Sequence, residues 1–560
     1  MKGKVLAALL CAACLMSCRE GTPAVSVDSL IPVPAEVVVS DGTYRIPSRC
    51  RVRVDGFDAS EVCDILETMG LSCRMASSGA DIAVLLDETA GLEGYGLEIK
   101  GSGIVVTASD QDGVFYALQT LRRLMGCGVQ SGPLYSRTVP QCRIVDAPRF
   151  QYRGFMLDCS RHFFPVEEIK RIIDVMAAYK MNTFHWHLTD DQGWRAEIRK
   201  YPLLTSTGAT RKDNWTTDFK MSEDGYATGT SAYEGKPYGP YFYTQDDMRA
   251  VVAYAAGRHI DVLPEIDMPG HFQAALSAYP EFSCVPESKP EVWTHGGISD
   301  TVLNIGNDRA VQFAKDILDE ICDIFPYPYV HIGGDECPTE QWKSDPLCRE
   351  KYRALGLDSF DALQSNFVRE IAGFLASKGK SIFCWNESVT EPGADLELMQ
   401  ETGATVMCWW PCQKGAALTA SLGLDAIVTE FHSKTGGYYI NRRQSNEPGE
   451  PSGAGRGDDT VEGCYNYVPV PSGLAPEIEA RYKGVEATFW TEHVSSCEYL
   501  EYLMLPRLVC VAEAGWSSQE HKDWESFRRR MAADLPALDA AGYTYARHWL
   551  PDYVPRTAEQ

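Results

Sequence analysis

From Pro148 onward the chain alternates short apolar runs with helix-like stretches, and this alternation limits the folds open to it more than any other feature. Strands separated by helices pair in parallel, because each crossover returns the chain to the end of the sheet where the previous strand began. Eight runs read as strands: 154–160, 183–189, 261–267, 329–336, 381–387, 405–410, 425–430 and 485–492. The stretches between them carry helical spacing, as in Ile169, Ile172, Ile173 and Met176 behind Pro165, a residue suited to a helix start. Residues 310–324 and 363–376 repeat the pattern. The spacing predicts an α/β fold, a (β/α)8 TIM barrel over residues 148–550, with insertions beyond the ~250 residues such a barrel needs. An open doubly wound sheet is the alternative, but no strand is followed by a GxGxxG loop.

Residues 30–145 read as a small α+β domain, with strand alternation over 95–100 and 103–108. A helix over 113–125 follows, with Ala117, Leu118, Leu121 and Leu124 on one face. No catalytic cluster is visible there, and a structural role is expected. Two long insertions, 206–243 and 444–460, follow the second and seventh barrel strands. As βα loops they belong on the catalytic face, and the second is expected to be mobile.

Lys2 and Lys4 precede a short apolar run over 5–15, and Leu15-Met16-Ser17-Cys18 resembles a bacterial lipobox. The expectation is a lipoprotein signal peptide over 1–17, lipidation at Cys18, a linker over 18–29, and a protein lipid-anchored at the cell envelope, periplasmic or surface-exposed. No other run is long and apolar enough to span a bilayer. The sixteen cysteines outside the leader form no CxxC pair and no tight Cys/His cluster, so neither a structural zinc nor any cofactor is expected. Cys159, Cys384 and Cys408 sit in apolar runs and read as buried free thiols. A net charge of −25 with no basic stripe argues against nucleic acid as a partner.

Chemistry concentrates at the strand ends. In His331-Ile332-Gly333-Gly334-Asp335-Glu336 the glycines allow a sharp turn and close approach of a ligand. The adjacent carboxylates suit a site that needs one proton donor and one anion. The other ends carry Asp158 with Arg161 and His162 (Arg153 lies just before that strand), His185 to Trp194, Glu265, Asp267 and His271, Trp385, Trp409, and Trp490 with Glu492. The loop after the seventh strand adds Tyr439, Asn441 and Arg442. In a barrel these ends surround one pocket. Tryptophan faces there suit the C–H-rich faces of pyranoses.

The runs Arg153 to His162, His185 to Trp194, Pro269-Gly270-His271 and His331 to Glu336 resemble the glycoside hydrolase family 20 β-N-acetylhexosaminidases, and the likeness extends from Ile31 to the C-terminus. The resemblance implies exo-hydrolysis of terminal non-reducing β-linked GlcNAc or GalNAc by substrate-assisted retaining catalysis, an exception to the usual two-carboxylate scheme. The substrate's acetamido oxygen would attack C1, Glu336 would act as acid and then base, and Asp335 would orient the acetamido N–H and stabilise the oxazolinium. Alternation along a strand agrees, since neighbours at 335 and 336 would be poorly placed to straddle one carbon as acid and nucleophile. By position, the resemblance gives Arg153 to the sugar 3- and 4-hydroxyls and Glu492 to the 4- or 6-hydroxyl. Trp385, Trp409 and Trp490 become pocket walls, Tyr439 a donor to the acetamido carbonyl, and Asp190 and His271 a network behind Glu336. Trp186 and Trp410 are expected in the core, and His187 and His331 as hydrogen-bonded structural residues.

Where many family members carry Asp two residues after the tyrosine, this chain has Asn441, followed by Arg442. The exchange of charge suggests tolerance of a 6-sulfated or otherwise anionic N-acetylhexosamine. Three rival readings remain: a metal-dependent barrel hydrolase built on His185 and His187, a non-catalytic surface glycan-binding lipoprotein, and a conventional retaining glycosidase using Glu387 or Glu430.

Overall fold

The computed structural model describes residues 26–129, 136–431, 436–445, 447–451 and 460–555. The leader and Cys18 lie outside the described residues. Among the described residues no helix is long and apolar enough to cross a membrane.

The first domain is one seven-stranded sheet: β1 (Glu36–Arg45), β2 (Arg49–Asp55), β3 (Ser72–Met75), β4 (Ile82–Leu86), β5 (Tyr95–Lys100), β6 (Gly103–Ala108) and β7 (Thr138–Asp146). Its order is β1-β7-β5-β6-β4-β2-β3, with β1, β7 and β5 antiparallel neighbours and β6, β4, β2 and β3 parallel. Helices α1 (Ala59–Thr68) and α2 (Gln111–Leu124) cover it. Every residue of α2 from Gly113 to Leu124 is buried. A helix buried all round must be packed on both sides, and α2 lies between this sheet and the barrel.

The barrel closes as expected, from β8 (Tyr152–Asp158), β9 (Thr183–His187), and, after the insertions described next, β14 (Asp261–Glu265), β15 (Tyr329–His331), β16 (Ser381–Trp385), β17 (Thr405–Cys408), β18 (Asp425–Val428) and β19 (Tyr482–Phe489). Each of the eight expected strands overlaps one of these, and all neighbours are parallel. The 206–243 insertion contains a hairpin, β12 (Trp215–Met221) on β13 (Ala227–Tyr233), following the short pair β10 (Thr189–Asp190) and β11 (Gly193–Trp194). The hairpin reaches the loop after β19: the Thr217 N–H donates to Ser495 Oγ at 2.9 Å, and Trp215 packs on His493. Helix α3 (Val166–Ala178) buries Ile169, Ile172, Ile173 and Met176.

The 444–460 stretch divides. Residues 446 and 452–459 lie outside the described residues, so the expected mobility is not addressed there. Gln444, against that expectation, is fully buried and its amide donates to the carbonyls of Tyr502, Leu503 and Leu505. A buried amide whose two N–H groups are shared among main-chain carbonyls anchors its backbone.

All sixteen described cysteines are free thiols, with Cys159, Cys384 and Cys408 buried. The two domains meet at the N-terminal end of the barrel through a polar seam. Lys180 Nζ lies 3.0 Å from Asp146 and donates to Tyr95 Oη at 2.8 Å, and Trp516 Nε1 donates to Asp146 at 2.9 Å. His259, stacked on Phe115, lies between Asp112 and Glu61 at 2.5 Å each. Burial opposes its charge, but the two carboxylate hydrogen bonds prevail and hold its pKa up at about 9.

Candidate active site

The site starts from how β15 ends. The strand stops at His331, earlier than the expected 336, and the chain then turns through Gly333 (φ +67°) and Gly334 (φ +94°). A Cβ on Gly333 would sit 1.6 Å from Asp267 Oδ1, so no other residue fits. Asp267 Oδ1 accepts the Gly334 N–H at 3.2 Å, and Gln364 Nε2 donates to the Gly334 carbonyl at 2.8 Å. Glu336 itself adopts φ +44°, a strained conformation for a side-chain-bearing residue. Asp335 and Glu336 therefore sit on a pinned turn. The alternation argument does not apply to them, and they face the same way.

Both line one cavity of about 760 Å³ at the C-terminal end of the barrel, with Trp385, Trp409, Tyr439 and Trp490. Both approach one imidazole: His271 Nε2 is 3.4 Å from Glu336 Oε2 and 3.8 Å from Asp335 Oδ2. On its other side His271 Nδ1 lies 3.2 Å from Asp190 and 3.2 Å from Asp191. Burial works against charging this ring, but Asp190 and its hydrogen bonds win, and its pKa stands well above the usual histidine value. His271 is thus a cation behind the acid pair. Burial raises the Asp335 carboxyl to about 6, with His271 opposing and Glu336 adding to the rise. Asp335 Oδ1 is buried with no hydrogen-bond partner. Beneath it, burial and the Asp335 carboxylate push the Asp267 carboxyl far above the usual range, which keeps it neutral and spares the turn a third anion.

The walls are aromatic and fixed from behind. Trp385 is buried and its Nε1 donates to Glu265 Oε1 at 2.8 Å, while Trp409 Nε1 donates to the Glu387 carboxylate at 2.9 Å. Trp490 lies 5.8 Å from Trp385, and Tyr439 stands 6.1 Å from Trp409 and 6.4 Å from Trp490. Tyr439 is placed by a bridge to Thr488 of β19. Asn441, Arg442 and Glu492 line the same cavity, and Arg442 lies 4.3 Å over Phe431.

Arg153 requires correction. It is the second residue of β8, at the far end of the barrel from the cavity, and is fully buried. Its guanidinium bonds Glu93 at 2.7 Å and Tyr116 Oη at 2.9 Å, both from the first domain, together with the Phe150 and Lys180 carbonyls. No sugar hydroxyl reaches it. Besides Arg442, the cavity is lined by Arg161, three residues past the end of the same strand. It bonds Asp190 at 2.7 Å and Gln192 at 2.8 Å, lies 3.9 Å from Glu492, and stacks 5.0 Å from Trp490. Asp190 lies behind the cavity and meets it through Arg161 and His271. A second correction concerns Trp410, expected in the core but found 57% exposed on the cavity lining. The strand ends at Cys408, so both tryptophans after it are free of strand alternation. Phe431 and His493 also line the cavity and were not singled out in the sequence. Trp186 is in the core as expected.

Inside the barrel His185, His187 and His331 converge on Glu265. His187 Nδ1 is in hydrogen-bond contact with Glu265, His185 Nε2 lies 3.1 Å away and His331 Nδ1 2.9 Å away. Atoms of His185, Glu265 and His331 lie within 4.8 Å of one another, a spacing a metal ion would accept. This cluster is fully buried, is absent from the described cavity lining, and has both Glu265 oxygens engaged. A catalytic metal site keeps a position open to substrate, and this one has none. Glu387 and Glu430, the remote nucleophile candidates, lie outside that lining too: Glu387 holds the Trp409 indole, and Glu430 accepts from Tyr467 Oη at 2.9 Å.

The family model described as glycosyl hydrolase family 20, catalytic domain, matches residues 150–519, and that for domain 2 of the same family matches 28–147. The chain belongs to glycosyl hydrolase family 20. It is a glycoside hydrolase, with the family's catalytic barrel and its preceding domain. A β-hexosaminidase of Porphyromonas gingivalis is 35% identical over 560 residues, covering 96% of this chain and 68% of that protein. Among solved structures, the exo β-N-acetylglucosaminidase of Vibrio harveyi in complex with N-acetylglucosamine has a TM-score of 0.77 at 30% identity, covering 94% of this chain and 80% of that one. The β-N-acetylhexosaminidase of Streptomyces coelicolor gives 0.76 at 30% identity, covering 95% and 100%.

Proposed function

We propose that this family 20 hydrolase removes terminal non-reducing β-linked N-acetylglucosamine or N-acetylgalactosamine from glycans, by substrate-assisted catalysis with retention at C1. The observation that carries the reading is the buried, unpartnered Oδ1 of Asp335 in a tryptophan-walled pocket, beside a second carboxyl on the same turn. A buried acceptor without a donor is costly and awaits one, and the acetamido N–H of a bound sugar is a donor of the right kind. Holding that N–H aims the acetamido oxygen at C1, and Asp335 then faces the positive charge of the oxazolinium. Fixed anions facing developing charge supply the largest part of most barrier reductions. Glu336, more exposed than Asp335 and nearer the mouth, gives its proton to the leaving oxygen and afterwards takes one from water. Arg161, with Glu492, holds the ring hydroxyls in the role the sequence suggested for Arg153.

Glu336→Gln tests the reading. With an aryl β-N-acetylglucosaminide, kcat should fall by ~10²–10⁴-fold, the usual worth of general acid–base catalysis. Glycosides lacking the 2-acetamido group should be inert with the wild type. Unchanged kcat in Glu336→Gln, or ready cleavage of the plain glucoside, would remove the mechanism.

A second reading concerns substrate charge. Asn441 and Arg442 line the cavity, bringing a neutral amide and a cation to its rim, which favours sugars carrying an anionic group such as a 6-sulfate. For cellular place, we propose a lipid anchor at Cys18 in the bacterial envelope, supported by the lipobox-like Leu15 to Cys18 run. Recovery of a Cys18→Ala chain in the membrane fraction, at the wild-type level, would exclude it.

A further inference from the structure

Two helices behind the cavity carry a pair of thiols that the reaction does not use. Helix α4 (Val461–Asn466) brings Cys464 and helix α5 (Arg507–Trp516) brings Cys510, and both side chains are fully buried. Their seating is reciprocal. Cys464 Sγ donates to the Arg507 carbonyl at 3.7 Å, and Cys510 Sγ donates to the Val461 carbonyl at 3.7 Å. Each thiol thus reaches the main chain one helical turn before the other cysteine, and the two thiols are in hydrogen-bond contact with each other. Sulfurs already in contact across facing helices meet the close approach that a disulfide demands. Burial first, and then this contact, push the Cys510 thiol well above the usual thiol range. A buried, protonated thiol is inert in the folded protein, so a bond between these two is made while the chain folds. Cys63 with Cys73 and Cys284 with Cys348 also touch, but among the described residues neither pair shows this reciprocal seating.

The surroundings say what such a bond would hold. On α4, Tyr465 Oη donates to Glu513 of α5 at 2.9 Å. Arg507, at the start of α5, donates to the carbonyls of Ile440 at 2.7 Å and Arg442 at 2.5 Å, on either side of Asn441 and just past Tyr439. Gly436, which leads into that stretch, packs so closely on α4 that a Cβ there would lie 2.2 Å from the Gly463 main chain. The two helices therefore back the part of the cavity wall that Tyr439, Asn441 and Arg442 form, and the thiol pair lies at the point where the helices meet.

We propose that Cys464 and Cys510 are joined by a disulfide as the chain folds in the envelope, a covalent tie between α4 and α5 behind the Tyr439 wall. The location is the one proposed above, and disulfides form and persist in such oxidising compartments. The oxidant is a second disulfide, carried by a thiol–disulfide oxidoreductase. One cysteine thiolate attacks it to form a mixed disulfide and releases one oxidant thiol. The other cysteine thiolate then attacks the first cysteine's sulfur, and the second oxidant thiol leaves. The electron pair and both thiol protons end on the oxidant, which departs as a dithiol. Full chain isolated from the envelope and unfolded directly into N-ethylmaleimide tests the proposal. Trypsin releases residues 457–481 and 508–522, each with one cysteine. The two peptides should be recovered linked, two hydrogens lighter than their sum, and should separate on reduction with dithiothreitol. Closing a loop of this length should raise Tm by about 4 °C. Cys464→Ala, Cys510→Ala and the double variant should therefore each lose about the same amount, because either substitution removes the whole bond. Recovery of both peptides alkylated and unlinked, a link from either cysteine to another, or additive Tm losses would overturn the proposal. A chain absent from the envelope would instead overturn the location on which it stands.

Discussion

Arg153 and Arg161 flank a single strand, β8, and both are buried among carboxylates, yet they belong to different parts of the molecule. Arg153 at the strand's start faces Glu93 and Tyr116 and fastens one domain to the other. Arg161 past the strand's end faces Asp158, Asp190 and Glu492 and lines the cavity. In a barrel the polarity of the strand decides which is which: the C-terminal ends carry chemistry and the N-terminal ends carry stability. The same residue type in similar electrostatic surroundings therefore has no fixed role until its height in the barrel is known.

Exchanging each arginine conservatively is the strongest way to break this contrast. Arg161→Lys keeps a charge against Asp158 and Asp190 but loses the planar fork. Its kcat/KM should fall by ~10²-fold or more, the equivalent of about 3 kcal/mol of transition-state stabilisation, with little change in Tm. Arg153→Met should do the reverse. It leaves Glu93 facing a buried apolar side chain, which costs ~3–5 kcal/mol of stability, while kcat/KM per folded molecule stays within about twofold of wild type. Melting curves and kinetics on the two variants decide, and a catalytic defect in stable Arg153→Met would erase the distinction.

The seam that Arg153 belongs to should also carry a pH signature of its own. His259 has its pKa raised to about 9 by Asp112 and Glu61, against about 6.5 when unfolded. A base with a raised folded pKa binds its proton more tightly in the folded state. Its contribution is complete below pH ~6.5 and is lost as pH rises through about 9, up to about 3 kcal/mol in all. Stability measured across pH 6 to 10 should therefore fall more steeply for the wild type than for His259→Asn, and parallel curves would show that the seam histidine contributes nothing.

The barrel was legible in the sequence because strand and helix periodicities alternate over 148–550 on either side of the two long insertions, and every expected strand has a counterpart. The turn that carries the acid pair was legible because acids and tryptophans fall at most of the other strand ends as well, company that two glycines before two acids would need to stand out. What could not be read depends on where strands stop and on contacts between distant residues. Thr405–Cys408 ends before its two tryptophans, so the local pattern concealed that one turns inward and the other outward. Arg153 was misassigned because motif position outweighed strand polarity, a rule that favours Arg161 once the barrel is accepted. The seam pairs Glu93, Asp112 and Asp146 with Arg153, His259 and Lys180, partners 34 to 147 residues apart that no local periodicity joins.

Arg442 extends the comparison to a third arginine, at the cavity end with Arg161 but out on the rim, over the ring of Phe431. If height in the barrel sets the role, distance from the barrel axis should set its size. An arginine deep among carboxylates orders the sugar, whereas one at a solvated rim tunes which sugar is preferred, because water screens its field. Arg442→Ala should accordingly leave kcat on a neutral aryl β-N-acetylglucosaminide within about twofold of wild type. The ratio of kcat/KM for the 6-sulfated over the neutral substrate should fall by about three- to tenfold, the range of one partly screened charge pair. Raising the salt concentration should shrink the wild-type ratio toward that of the variant, since a rim interaction is screened and a buried one is not. An unchanged ratio would remove Arg442 from the choice of substrate.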